Sequence, residues 1–258
     1  MKSFAKPNLL NDYHLLSYEE LDSTNEEARR IAEGGGSHGA VIWAKRQTAG
    51  RGRMGRLWVS AEGNLFCSLL LRPDCAQDVA AQLSFVAALA ATETLSSIIP
   101  DGDDIHCKWP NDILLGEKKI GGILLESFET ADMTTGSNKM VRWVVVGVGI
   151  NVDSCPGSTD IPATYLKEAG VEIISAKIVL SRFIHHFITL YDMWANKGFA
   201  PIRKLWLKHA FRIGKSIEVR LPKETYTGIF EGIDTSGHLL LKSAGKKRMA
   251  ISAGDVFW

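Results

Sequence analysis

The stretch Val141-Arg142-Trp143-Val144-Val145-Val146-Gly147-Val148-Gly149-Ile150-Asn151 is apolar almost without a break. A strand of this kind is covered on both faces, so residues 141–150 are predicted to run through the middle of a sheet. The Gly-x-Gly ending is shared with dinucleotide-binding turns. No third glycine follows at the required spacing and no helix opens there, which excludes that nucleotide fold.

Upstream of this strand, residues 120–128, 105–109, 65–71 and 40–43 also read as strands, and residues 79–99 have the apolar spacing of a buried helix. An earlier helix opens at Ser23-Thr24-Asn25-Glu26, with Ser23 as its cap and Glu26 at the capping-box position. It runs through Ala28 and Ile31 and stops at Gly34-Gly35-Gly36. Downstream, Phe183, Phe187, Leu190 and Trp194 share one face of a long helix over 176–194. After Phe211 the texture changes to short alternating strands over 216–221, 226–233, 239–242 and 248–251. Their turns carry Pro222, Ser236-Gly237 and Gly245. The expected fold class is α/β (α+β), with a main domain over 1–211 and a small all-β domain over 212–258. A unit that small is marginal alone and is expected to lean on its neighbour.

The chain has 258 residues, 45% of them apolar and 23% charged, with a formal net charge of +1. That balance argues against a bulk electrostatic interaction with nucleic acid, although a local basic loop remains open. Cys67, Cys75, Cys107 and Cys155 form no CxxC pair and read as free thiols in a reducing compartment. The first residues lack the apolar core of a signal peptide, and no run reaches the roughly 18 apolar residues of a membrane helix. A cytoplasmic protein with no membrane partner is expected.

Four segments carry chemistry. In Gln47-Thr48-Ala49-Gly50-Arg51-Gly52-Arg53-Met54-Gly55-Arg56-Leu57-Trp58, glycines alternate with arginines. Glycines let backbone N–H groups close on an anion, and arginines supply paired donors to carboxylate or phosphate. A basic hairpin tip and an RNA-binding arginine–glycine patch fit the same spacing. In Lys108-Trp109-Pro110-Asn111-Asp112, a strand ends at Trp109, Pro110-Asn111 breaks it and an apolar run resumes at Asp112, which aims Lys108, Asn111 and Asp112 at one end of the sheet. A plain surface turn is the other reading. In Lys118-Lys119-Ile120-Gly121-Gly122-Ile123-Leu124-Leu125-Glu126, two glycines inside a strand mark close approach of a ligand or another backbone, or else a bulge. Gly147-Val148-Gly149-Ile150-Asn151 is the fourth. His185-His186 lacks a HExxH partner, and Asp101, Asp103 and Asp104 lack EF-hand spacing, so no metal site is expected.

Taken in this order, Asp22-Ser23-Thr24-Asn25, the Gly50–Arg56 loop with Trp58, Lys108–Asp112, Lys119–Glu126 and Gly147–Asn151 resemble the biotin–protein ligase family. The resemblance runs from about residue 13 to the C-terminus. It implies a mixed-sheet catalytic domain followed by a small SH3-like β-barrel. It implies a ligase that activates biotin with ATP as biotinyl-5′-AMP and transfers it to a lysine of a biotin carboxyl carrier protein or domain. Mg²⁺ is expected with the ATP, and a homodimer is compatible with the family. By matching position, biotin would meet Ser23, Thr24, Asn25, Gln47, Gly50, Arg51, Gly52, Arg53, Lys119 and Gly121. ATP and the adenylate would meet Arg53, Arg56, Trp58, Asn111, Asp112 and Asn151. Arg53, Lys108 and Lys119 would be the catalytic cations. Asp112 is the obvious carboxylate, for Mg²⁺ or for ribose. A ligase or transferase for lipoate or octanoate on a related fold is the alternative. The polar set Ser23, Thr24, Asn25 and Gln47, suited to a ureido ring, favours biotin.

Some members carry an N-terminal DNA-binding domain. The residues before Ser23 are too few for one, so no sequence-specific DNA binding is expected. Some place a tryptophan against the adenine, downstream of the position of Asn151; here that stretch reads Ile161-Pro162-Ala163-Thr164-Tyr165. The glycine-rich loop is expected to be mobile until ligand arrives, its arginines finding partners only then.

Overall fold

A computed structural model describes residues 13–100, 104–129, 141–157, 161–243 and 248–258. Seven strands form the main sheet: β1 (His14–Leu21), β2 (Ala40–Gln47), β3 (Leu65–Leu71), β4 (Ile105–Lys108), β5 (Asp112–Leu115), β6 (Lys118–Glu129) and β7 (Val141–Ile150). Their order is β1-β2-β3-β7-β6-β5-β4, so β7 is central as its composition requires. Only β1 and β2 run parallel; the remaining pairs are antiparallel, which makes the sheet mixed.

Both faces of β7 are covered, by different elements. Val144, Val146 and Val148 join the large core with α3 (Leu83–Ser96) and α4 (Ala176–Lys197). Trp143 and Val145 face the other way, with Ala28 and Ala32 of α1 (Thr24–Glu33). The helix expected over 79–99 is broken into α2 (Gln77–Ala80) and α3. Residues 77–96 are long and apolar enough to cross a membrane by composition, but this segment is mostly buried in the core. Ser23 occupies the N-cap of α1 without the expected side-chain cap. The capping-box residue Glu26 pairs instead with Arg29 and Arg51.

The sequence reading missed β1, β5 and α5 (Phe199–Lys208). It also missed the last strand of the small domain. That domain is a five-stranded antiparallel sheet of β8 (Ser216–Arg220), β9 (Thr225–Ile233), β10 (Leu239–Lys242), β11 (Arg248–Ile251) and β12 (Asp255–Phe257), in the order β11-β10-β9-β8-β12. It leans on the main domain as expected. Ile217, Val219 and Phe230 belong to the same buried cluster as α3, and the Trp109 indole N–H donates to the Gly237 carbonyl at 3.0 Å. The turn at Gly245 and residues Asp101 and Asp103 lie outside the described residues.

Candidate active site

A cavity of about 490 Å³ opens on the α1 face of the sheet. Its position follows from residue size. Along this face of β7, Trp143 and Val145 are covered by α1, and the next two positions are Gly147 and Gly149. They pair with Leu124 and Gly122 of β6, and all four line the cavity. Side chains absent from the strand leave the space that a ligand needs.

The site residues named from sequence all line this cavity except Gly50 and Gly121. Those two serve close packing instead. A Cβ on Gly121 would lie 3.0 Å from the Gly149 carbonyl oxygen, and one on Gly50 would press on Trp58 and Ser60. The glycine pair of β6 thus divides its work: Gly121 admits a neighbouring backbone, and Gly122 admits the Trp58 ring, 3.3 Å from its ideal Cβ. A Cβ on Gly149 would come within 2.5 Å of the same indole. The indole N–H of Trp58 is buried and has no hydrogen-bond partner among the described residues.

At one end of the cavity stand Ser23, Thr24, Asn25 and Gln47, neutral and polar. The Thr24 backbone N–H donates to Gln47 Oε1 at 2.8 Å, and Asn25 Nδ2 donates to Glu126 Oε2 at 2.7 Å. Gly147 makes room for Asn25, because a Cβ there would overlap the Asn25 amide oxygen. Gly147→Ala is therefore expected to displace that amide and weaken ligand binding at this end at least about tenfold, with an overpacking cost of about 1–3 kcal/mol. Calorimetric titration with biotin beside a thermal melt checks this. Unchanged affinity in a folded variant would show that Asn25 is not held by this contact.

At the other end stand cations. Asp112 is 7% exposed and lies between two ammonium groups, Lys108 Nζ at 3.2 Å and Lys119 Nζ at 2.5 Å. Burial pushes the Asp112 carboxyl up, but Lys119 and Lys108 together hold it below the ordinary carboxylate range. Burial pulls the Lys108 ammonium down, with Asp112 opposing. Asn111 is fixed by the sheet, its Nδ2 donating to the Ile123 carbonyl at 2.8 Å. Asn151 donates from Nδ2 to the Thr164 carbonyl at 3.0 Å, which ties the 161–165 stretch beside the cavity; Ile161 and Ala163 line it there.

The glycine–arginine loop is held by contacts within its own chain. It is a closed hairpin, with Arg51 bridged to Leu57, the Gly52 N–H donating to the Arg56 carbonyl at 2.7 Å, and a 3-10 turn over Arg53–Gly55. Two of its arginines pair with carboxylates of the chain itself: Arg51 with Glu26 and Glu126, and Arg56 with Asp255 at 2.7 Å. These acids come from distant parts of the chain, which local spacing does not encode. Arg53 differs. It donates to Asn111 Oδ1 at 3.2 Å and to the Gly254 carbonyl at 3.5 Å, and no carboxylate pairs with it among the described residues.

The cavity also includes residues that no motif pointed to. Phe66 and Pro156 line it, and Asp255 and Phe257 reach it from the small sheet. The small domain therefore contributes to the site wall, which the motif positions had confined to the main domain.

Comparison with known proteins follows the same division. Residues 19–151 match the biotin/lipoate A/B protein ligase family, and residues 213–258 match the biotin protein ligase C terminal domain. The chain is 39% identical over 242 residues to a biotin--[acetyl-CoA-carboxylase] ligase of Paracoccus denitrificans, covering 92% of this chain and 97% of the relative. It is 38% identical to the bifunctional ligase/repressor BirA of Bacillus subtilis, covering 89% of this chain and 70% of that one. Among solved structures, the biotin protein ligase from Aquifex aeolicus in complex with biotin and ATP superimposes with a TM-score of 0.77 at 30% identity, covering 94% of this chain and 97% of that one.

Proposed function

The chain belongs to the biotin/lipoate A/B protein ligase family, and from that premise we propose how its cavity runs the biotin ligase reaction. The substrates are biotin and ATP, and the acceptor is a carboxylase carrier protein. The observation that carries the reading is the division of one cavity into a neutral polar end and a cationic end. The ureido ring of biotin is neutral and needs donors and acceptors, which Ser23, Thr24, Asn25 and Gln47 supply. An octanoyl or lipoyl chain would ask for apolar residues there.

The carboxylate of biotin then points toward Lys119 and Arg53. Its oxygen attacks the α-phosphorus of ATP, the bond to pyrophosphate breaks, and biotinyl-5′-AMP forms. Anion meets polyanion in this step. Two unit charges 4 Å apart repel by about 4 kcal/mol at an effective dielectric near 20. Lys108, Lys119 and Arg53 stand fixed where that charge builds up, so no reorganisation is needed at the moment of reaction. Arg56, Trp58, Asn111 and Asn151 border the nucleotide. Asp112 has both oxygens on ammonium groups, which share its charge. Its role is to fix the two lysines. In the second step a carrier lysine amine attacks the acyl carbon and AMP leaves. We also propose a cytoplasmic setting, supported by the use of ATP and by four cysteines that are all free.

Calorimetric titration with biotin, octanoate and lipoate, each with and without ATP, tests this reading. Biotin is expected to bind in the micromolar range or tighter, with little heat from the other two acids. Preferential binding of octanoate or lipoate would overturn it.

A further inference from the structure

We propose that Ser68, which does not line the cavity, is a positioning residue that sets the hydrogen-bond polarity of the polar end. Through it, Thr24 and Gln47 both present acceptors, and the site selects an acid with a ring N–H over an isosteric one without it. The inference rests on the biotin reading above and deepens it.

Asn25 Nδ2 lies 2.7 Å from Glu126 Oε2 and 3.3 Å from the Leu124 carbonyl. A carbonyl can only accept, so the Asn25 nitrogen faces this pair and its oxygen faces Ser68, at 2.6 Å. An amide oxygen also only accepts, which commits the single hydroxyl hydrogen of Ser68 to Asn25. Ser68 Oγ has a second contact, with Thr24 Oγ1 at 2.7 Å. The hydrogen in that contact must come from Thr24. Thr24 Oγ1 is 3.2 Å from Gln47 Oε1, a longer contact with no hydrogen left to fill it.

Gln47 cannot relieve this by turning over. Its oxygen accepts the Thr24 backbone N–H at 2.8 Å, and its nitrogen donates to Ser60 Oγ at 2.9 Å. Ser60 in turn donates to the Trp58 carbonyl at 2.8 Å. Two relays, one ending on Glu126 and the Leu124 carbonyl and the other on the Trp58 carbonyl, thus leave two oxygens side by side at the cavity. Both have lone pairs and neither has a donor to spare. A ligand N–H placed between them satisfies both, whereas an ether oxygen or a methylene leaves them unmatched. Ser68 is fully buried on β3 opposite Gly147, where its hydroxyl contacts both Thr24 and Asn25.

The test uses biotin and its two cyclic carbamate analogues, in each of which oxygen replaces one ureido N–H. Affinities are measured by calorimetry for the full chain, for Ser68→Ala and for Ser68→Thr. The unaltered chain is expected to bind one of the carbamates about tenfold or more weaker than biotin. In Ser68→Ala the Thr24 hydrogen is released to Gln47 or the cavity, and that ratio is expected to fall by about fivefold or more. Ser68→Thr keeps the hydroxyl and the ratio. An unchanged ratio in Ser68→Ala, even with both ligands weakened, would mean a merely structural role and overturn the proposal. So would an unaltered chain that binds both carbamates within about twofold of biotin, a result that needs no variant to fold. A chain that binds octanoate and not biotin would overturn the biotin reading itself, and this inference with it.

Discussion

Asp112→Asn is expected to lower the stability of the protein by about 3–5 kcal/mol, because it leaves two ammonium groups facing each other without their shared counter-ion. The whole fold is worth on the order of 5–15 kcal/mol, so the variant should sit close to unfolding. Lys108 is even more buried than Asp112 and cannot swing into water. Urea denaturation measures the effect as a lower midpoint with an unchanged slope. Adding Lys108→Met to Asp112→Asn should recover part of the loss by removing one uncompensated charge. The same pairing predicts an acid limb. The folded Asp112 carboxyl is held below its unfolded value of about 3.9, so its contribution is complete above that pH and is lost as pH falls through the folded value. Asp112→Asn should flatten the stability profile in that window. A loss under about 1 kcal/mol, or an unchanged acid limb, would show that the lysines are compensated elsewhere.

Arg53→Gly is expected to leave the fold intact and to release biotinyl-5′-AMP into solution. Of the three arginines in the loop, Arg53 is the one that forms no ion pair with a carboxylate among the described residues, although Asp255 and Asp112 act on it from further away. Burial pulls its pKa below that of free arginine, yet a guanidinium stays charged at physiological pH. A half-buried, underused cation beside Asn111 is suited to the phosphate of the adenylate. The charge-assisted hydrogen bonds at stake are worth about 1.5–3 kcal/mol, roughly ten- to a hundredfold in retention. The measurements are chromatography of free adenylate and mass spectrometry of lysines on a bystander protein. A variant that makes adenylate at the normal rate and labels only the carrier would remove Arg53 from this role. Arg51→Gly is the informative companion, since Arg51 is already engaged by Glu26 and Glu126.

Most residues that line the cavity were named from the sequence through the family resemblance, and local breaks in pattern marked the segments that carry it. Gly147 and Gly149 interrupt an apolar strand, and the Lys108–Asp112 segment interrupts another; such breaks in a regular pattern are visible without any partner. The central strand β7 was readable because it is buried on both faces. The edge strand β1 was not: its side chains are half-buried or exposed with no clean alternation. β12, with three residues, is too short to show a period, and β5 reads only as an apolar run after the Pro110-Asn111 break.

The sequence by itself determined the order of the main elements, the glycine strip that floors the cavity and the residue types at its two ends. Only the tertiary structure decided how those residues are charged and oriented. Asp112 is consumed by Lys108 and Lys119, Arg51 by Glu26 and Glu126, and Arg56 by Asp255, whereas Arg53 donates to Asn111 and has no carboxylate partner among the described residues. Ser68 turns the Thr24 hydroxyl away from the cavity across 44 residues of chain. The physical reason is that local periodicity reports which face of an element is buried. Hydrogen-bond direction and charge pairing depend instead on distances of a few ångströms between segments that the sheet brings together.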